Sequence, residues 1–194
     1  MCLGENGIMN IFFLDLDPKK SAKYYFDRHC VKIILEICQM LYTAQWICHP
    51  DFVTSHPEDF KPYKKTHYNH PTAKWVRRTR ANYNYTCLIG LALCREYTHR
   101  YNKTHKCEVR LQWLSENGLT NVDTSPYIET TYLARTNVPL NCSPIPLAMP
   151  REFHCPNVID AYRHYYIHDK KHIPTIKEGD AHTRLALKWK IPIE

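Results

Sequence analysis

The sequence predicts a mainly α-helical single domain, and three observations carry that expectation. In residues 27–43, DRHCVKIILEICQMLYT, the polar residues after Arg28 are His29, Lys32, Glu36, Gln39 and Thr43, stepping three, four, three, four, which is one line along a helix. Tyr83, Cys87, Gly90, Cys94, Tyr97 and Tyr101 step four, three, four, three, four and make an inward stripe on a second long helix. Helix punctuation flanks these patterns, with Asp17-Pro18 as N-cap and first position and Asn117-Gly118 as a C-terminal stop.

In chain order, residues 1–8 read as an N-terminal extension and 9–194 as the helical domain. Residues 9–16, MNIFFLDL, form a short apolar run, β-like or simply extended, that ends at Asp17-Pro18. A helix is expected from there to about residue 46, stopped by His49-Pro50. It contains the polar line just described, and everything between those polar residues is apolar, so it should be a central helix covered on most sides. Prolines 50, 57, 62 and 71 and a lack of periodicity make 50–71 an ordered loop. The second long helix spans about 72–101, and a third fits KCEVRLQWLSENG. Residues 119–156, rich in Asn, Thr and Pro, form a long irregular segment of the kind that covers or lines something. A last clear helix runs from about 157 to 171, and the basic tail beyond it is ambiguous.

Composition narrows the function classes. With 194 residues and 44% hydrophobic residues the chain can bury a core of its own. There is no apolar run of about 18 residues and no signal-peptide start, so the expectation is a soluble, cytoplasmic protein that touches no membrane. Nine cysteines, an odd number without a C-x-x-C pair, read as reduced packing residues of a reducing compartment rather than as a disulfide or zinc framework. A balance of 26 Lys and Arg against 19 Asp and Glu gives a formal charge of +7, which favours an acidic partner such as nucleic acid.

Two clusters carry candidate chemistry. A narrow solvent strip or a structural ion pair accounts for the polar line of residues 27–43 as it stands. The functional reading puts His29, Lys32 and Glu36 on the floor of a cleft, with Glu36 as acid or base, Lys32 as clamp or amine nucleophile and His29 as proton carrier. The second cluster is residues 64–80, KKTHYNHPTAKWVRRTR. His67 and His70 bracket Asn69 just before a helix start, where free N–H groups suit a phosphate, and these histidines join the candidate catalytic set. Lys64, Lys65, Lys74, Arg77, Arg78 and Arg80, with Arg28 from the first cluster, suit a phosphate backbone, and Trp75 suits a stacked base. A solvated basic face is the plain alternative. Glu96 to Lys106 add further cations that the dipole at a helix C-terminus explains on its own.

Five stretches, DRHCVKIILEICQML, THYNHPTAKWVR, EYTHRYNKTHK, PLAMP and AYRHYY, follow one another in an order that resembles a group of small proteins of bacteriophages and large DNA viruses. Some of that group are labelled pyrimidine-dimer DNA glycosylases, and the resemblance covers residues 9 to about 166. It implies a helical DNA-repair enzyme of the base-excision type, a glycosylase with abasic-site lyase chemistry and no cofactor, acting on DNA. In the phage enzymes the amine of the mature N-terminus is the nucleophile, and a glutamate on the first long helix completes the reaction. Here the corresponding glutamate is Glu36, or its place is taken by His29. Eight residues precede Met9, and initiator removal before a residue as large as Asn10 is inefficient, so Lys32 is the expected substitute amine. Three readings from other classes stay open: a non-catalytic nucleic-acid binder, a metal-dependent hydrolase or nuclease using His29, Glu36, His67 and His70, and an enzyme acting on a small phosphorylated nucleotide.

Overall fold

Asp17 begins the first helix as expected, its side chain accepting from the backbone N–H groups of Lys19 and Lys20 with Pro18 at the first position. The computed structural model describes residues 10–49, 51–122, 141–170 and 181–192, so the first eight residues and Met9 lie outside the described part. Its helices are α1 (Pro18–Tyr24), α2 (Asp27–Cys48), α3 (Phe52–Ser55), α4 (Pro71–Val76), α5 (Arg80–Tyr101), α6 (Glu108–Glu116), α7 (Val158–Asp169) and α8 (Ala181–Trp189), with a 3-10 turn at Arg151–Phe153. α5 packs on α1, α2 and α6, and α2 also packs on α4. No described helix is long and apolar enough to cross a membrane.

Two helices expected to be continuous are each broken in two. The first breaks at Tyr25 and Phe26, whose backbones are extended at ψ 136° and 154°. Neither residue is a helix breaker by type. Both rings are fully buried, the Tyr25 hydroxyl serves Phe12, and the Phe26 N–H donates to Tyr166 Oη at 2.8 Å, so tertiary bonds replace the helical ones. The second break, at Arg77 to Thr79, starts α5 afresh with Thr79 as N-cap, its Oγ1 accepting from the Asn82 N–H at 3.1 Å.

The N-terminal run is extended, and no strand occurs among the described residues. Asn10 to Leu14 are nonetheless almost fully buried. A buried extended segment without a sheet needs other partners for its peptide groups, and side chains supply them. The Phe12 N–H donates to Tyr25 Oη at 3.0 Å and the same hydroxyl donates to Phe12 O at 2.6 Å. Leu14 O accepts from Arg163 Nε at 2.9 Å, and Leu16 O accepts from Tyr85 Oη at 2.7 Å. The segment is thereby fixed against α2, α5 and α7.

The inward stripe of α5 holds, with Tyr83, Cys87, Gly90 and Cys94 buried and Tyr97 and Tyr101 half-buried at its end. Cys30, Cys38, Cys87 and Cys94 are free thiols packed in the core. Gly90 of α5 sits against Ile37 of α2 and Leu111 of α6. A Cβ there would meet Ile37 Cγ2 at 3.0 Å and Leu111 Cδ2 at 3.1 Å, and both neighbours are fully buried. Gly90→Val should therefore destabilise the fold by about 1–3 kcal/mol through overpacking, read as a lower urea midpoint at unchanged slope. A midpoint equal to that of the parent would show that the contact yields without cost.

Candidate active site

The polar line of α2 does not face water as one strip. Its solvent side is formed by Arg28, Val31, Lys32 and Leu35, and the line lies at the border between that side and the core. Three of its members are buried, and each ties α2 to a different part of the chain. His29 Nδ1 is 2.9 Å from Tyr166 Oη of α7. Glu36 Oε2 accepts from the backbone N–H of Asn10 at 3.0 Å. Thr43 Oγ1 donates to Thr66 O and accepts from the Thr66 N–H, at 3.1 and 3.2 Å, and so holds the loop before α4. A helix covered on most sides is observed, but the seam is a row of tethers rather than an open groove.

Glu36 and Asn10 form the centre. Asn10 Oδ1 accepts from Thr72 Oγ1 of α4 at 3.1 Å, and Asn10 Nδ2 donates to Ala148 O of the PLAMP stretch at 2.7 Å. Lys32 Nζ lies 3.4 Å from Glu36 Oε1 with 57% of its side chain exposed. Burial pushes the Glu36 carboxyl above its usual range, against the opposing pull of the Asn10 N–H, Lys32 and His67. A carboxyl raised in this way, with two nitrogens at its oxygens, can both take and give a proton there.

His67 and His70 belong to the loop that leads into α4. His70 is the N-cap of α4, its Nδ1 accepting from the Thr72 N–H at 3.2 Å. Burial first, and the charge of His67 second, lower its pKa, which keeps the ring neutral and able to accept that bond. His67 acts electrostatically on both Glu36 and His70. Its φ of 46° is the left-handed region, costly for a residue with a Cβ, and its Nδ1 is 2.7 Å from Thr66 Oγ1.

The Asn10 N–H and Lys32 meet the Glu36 carboxylate directly and His67 acts on it electrostatically, whereas His29 stands apart. His29 sits two turns before Glu36 among Phe12, Phe26 and Tyr166, with the Phe12 ring stacked on it at 5.1 Å. Among the described residues no group of three or more His, Cys, Asp or Glu is gathered to hold a metal ion. Asn10, Thr72 and Ala148 were missing from the sequence-based set. The signals for Ala148 were that the long irregular segment should line something and that PLAMP is one of the stretches carrying the resemblance.

The basic cluster divides. Arg28, Lys64, Lys65, Asn69, Lys74 and Arg78 are exposed, and Arg77 is half-buried. Arg80 is partly committed, its Nη2 donating to Leu119 O at 2.7 Å. Trp75 is corrected: it is 4% exposed, its Nε1 donates to Ser143 O at 2.9 Å, and Phe13 and Tyr85 meet it edge to face. No face is left for a nucleic-acid base. Tyr68, 49% exposed in the loop, is the available aromatic, and Lys65 Nζ lies 5.5 Å from its ring. Arg100 is likewise structural, with only 3% of its side chain exposed and Asp27 and Glu96 as partners.

The family model for pyrimidine dimer DNA glycosylase matches residues 9–109, a span that runs from the N-terminal segment through α5 and includes Asn10, Glu36, His67, His70 and the basic cluster. No curated protein and no solved structure matches the chain. The match takes in more than half of the sequence and brings with it a DNA glycosylase-like repair function on a DNA substrate: the chain belongs to the pyrimidine dimer DNA glycosylase family.

Proposed function

We propose that this protein excises a damaged base from DNA and then cleaves the strand at the abasic site, with Glu36 as the working carboxylate and an amine beside it as the nucleophile. The observation that supports this most is the 3.0 Å bond from the Asn10 backbone nitrogen to Glu36. In a chain that begins at Asn10 that nitrogen is an α-amine. Such amines titrate near 7.7–8.0 in water, so a useful fraction is uncharged and nucleophilic at neutral pH. The amine attacks C1′ as the C1′–N glycosidic bond breaks, and the base leaves with the bonding pair and takes up a proton given up by the new C1′-bound ammonium. Protonated Glu36 then gives its proton to the ring oxygen as the C1′–O bond breaks, which leaves a protonated imine and a free Glu36 carboxylate. Glu36 then takes a proton from C2′, and the C3′–O bond breaks to release the phosphate. The exposed cations beside the centre, Lys64, Lys65 and Lys74 among them, would hold the strand.

Lys32, 3.4 Å from the same carboxylate, supports a second reading in which its side chain is the amine in a longer chain. Borohydride trapping on an abasic duplex separates the two. The proteins compared are the full chain, a chain cut by protease to begin at Asn10, and Lys32→Ala in each. An adduct on the N-terminal peptide of the shortened chain that survives Lys32→Ala is the expected result. An adduct in the full chain that disappears with Lys32→Ala would select the second reading. The absence of any adduct from all four proteins would overturn the excision reading.

A further inference from the structure

The short helix α4 has two functional sides. Thr72 holds Asn10 on one, and on the other Pro71, Lys74 and Trp75 line a cleft of about 440 Å³ that Arg77, Arg78 and Pro146 help to close. Its lining carries three cations and no carboxylate. Arg77 Nη1 is buried without a hydrogen-bond partner, although a charged N–H shut away from water normally has one. Partial burial also draws the Arg77 guanidinium below its usual value. Leaving such a donor unpaired is costly, and an oxyanion would relieve that cost while the neighbouring lysine and arginine add attraction.

We propose that this cleft is a phosphate-ester site in which the Arg77 guanidinium, turned onto the ligand, grips one phosphate with Lys74 and Arg78 while the prolines of the lining carry the attached sugar. The guanidinium fork matches the oxygens of a phosphate, and an apolar floor suits an ester better than inorganic phosphate. That the ester belongs to a DNA strand rests on the excision reading, since the site shares α4 with the Asn10 and Glu36 centre. The phosphate chemistry does not rest on it.

Binding is therefore best measured in an Glu36→Gln background, where turnover plays no part and failure of the excision reading leaves the comparison intact. Fluorescence anisotropy with an abasic-site duplex over a salt series should show Arg77→Gln weakening binding roughly tenfold, with the slope of log K against log salt smaller by about one. Lys74→Gln, at an exposed position, should act in the same direction and decides the matter alone if Arg77→Gln does not fold. If duplex binding is unchanged but a nucleoside monophosphate binds the parent and not the variants, the site stands and its ligand is a free phosphate ester. Unchanged affinity for both probes in folded variants overturns the proposal.

Discussion

Glu36→Gln is expected to lower excision and strand cleavage by about 10²–10⁴-fold and, in the same protein, to raise the melting temperature at neutral pH. On the excision reading, the first effect follows from removing the carboxylate that meets Asn10 N and carries the protons of the reaction. The second follows from burial. The folded carboxyl is raised above its ordinary value, chiefly by desolvation, so the folded state binds a proton more tightly than the unfolded chain does. Its stabilising contribution is complete below the ordinary carboxylate pKa and is lost as pH rises through the raised folded value. Glutamine imitates the neutral acid at every pH and can still accept from the Asn10 N–H. The ion pair it forfeits involves a lysine more than half exposed, which is worth little. Melting curves of parent and variant between pH 4 and 8 check this, with a gap that opens as pH rises. A variant less stable than the parent at pH 7, or one retaining activity within a few-fold, would remove Glu36 from the role assigned to it.

This coupling of strain and chemistry was half legible in the sequence. The spacing of His29, Lys32 and Glu36 on an otherwise apolar helix announced that the polar residues had partners, because so few of them could balance the hydrophobic faces. Spacing does not say which partners. His29 and Glu36 share one line, yet the first is enclosed by aromatic rings from α7 and the N-terminal segment, and the second meets Asn10. The difference lies in contacts to residues as far away as Tyr166, which no local pattern encodes.

The same cause explains the two missed breaks. No proline or glycine marks Tyr25, Phe26 or Thr79, so a reading of the sequence runs straight across them. The chain turns because remote groups, Phe12, Tyr166 and Arg100 at the first break, outcompete the local ladder. Trp75 was misread for a related reason. In the linear sequence it stands among cations, but on α4 it falls on the inward side with Val76, while Lys74 and Arg78 stay exposed.

Arg100→Met should be the most destabilising single change in the helical core, costing roughly 3–5 kcal/mol. The guanidinium is 3% exposed and donates to Glu96 at 2.7 Å, Asp27 at 3.1 Å, Tyr25 O at 2.8 Å and Lys23 O at 3.3 Å. Methionine fills much of the volume but abandons two carboxylates that are themselves 5% and 10% exposed, and unpaired buried charge is the larger part of the cost. If so, Asp27→Asn and Glu96→Gln added to Arg100→Met should recover part of the loss, a non-additivity that urea unfolding of the single and triple variants measures directly. A single-variant loss under about 1 kcal/mol would mean the cluster is not the clamp described. The consequence reaches the active centre. Arg100 holds the carbonyls of Lys23 and Tyr25 at the α1–α2 break, the break aims Tyr25 Oη at Phe12, and Phe12 is two residues from the Asn10 nitrogen. On the excision reading, loosening that chain of contacts should lower the yield of borohydride-trapped adduct in the chain cut to begin at Asn10, even under conditions where the variant remains folded, because the Asn10 nitrogen would no longer be held 3.0 Å from the Glu36 carboxylate.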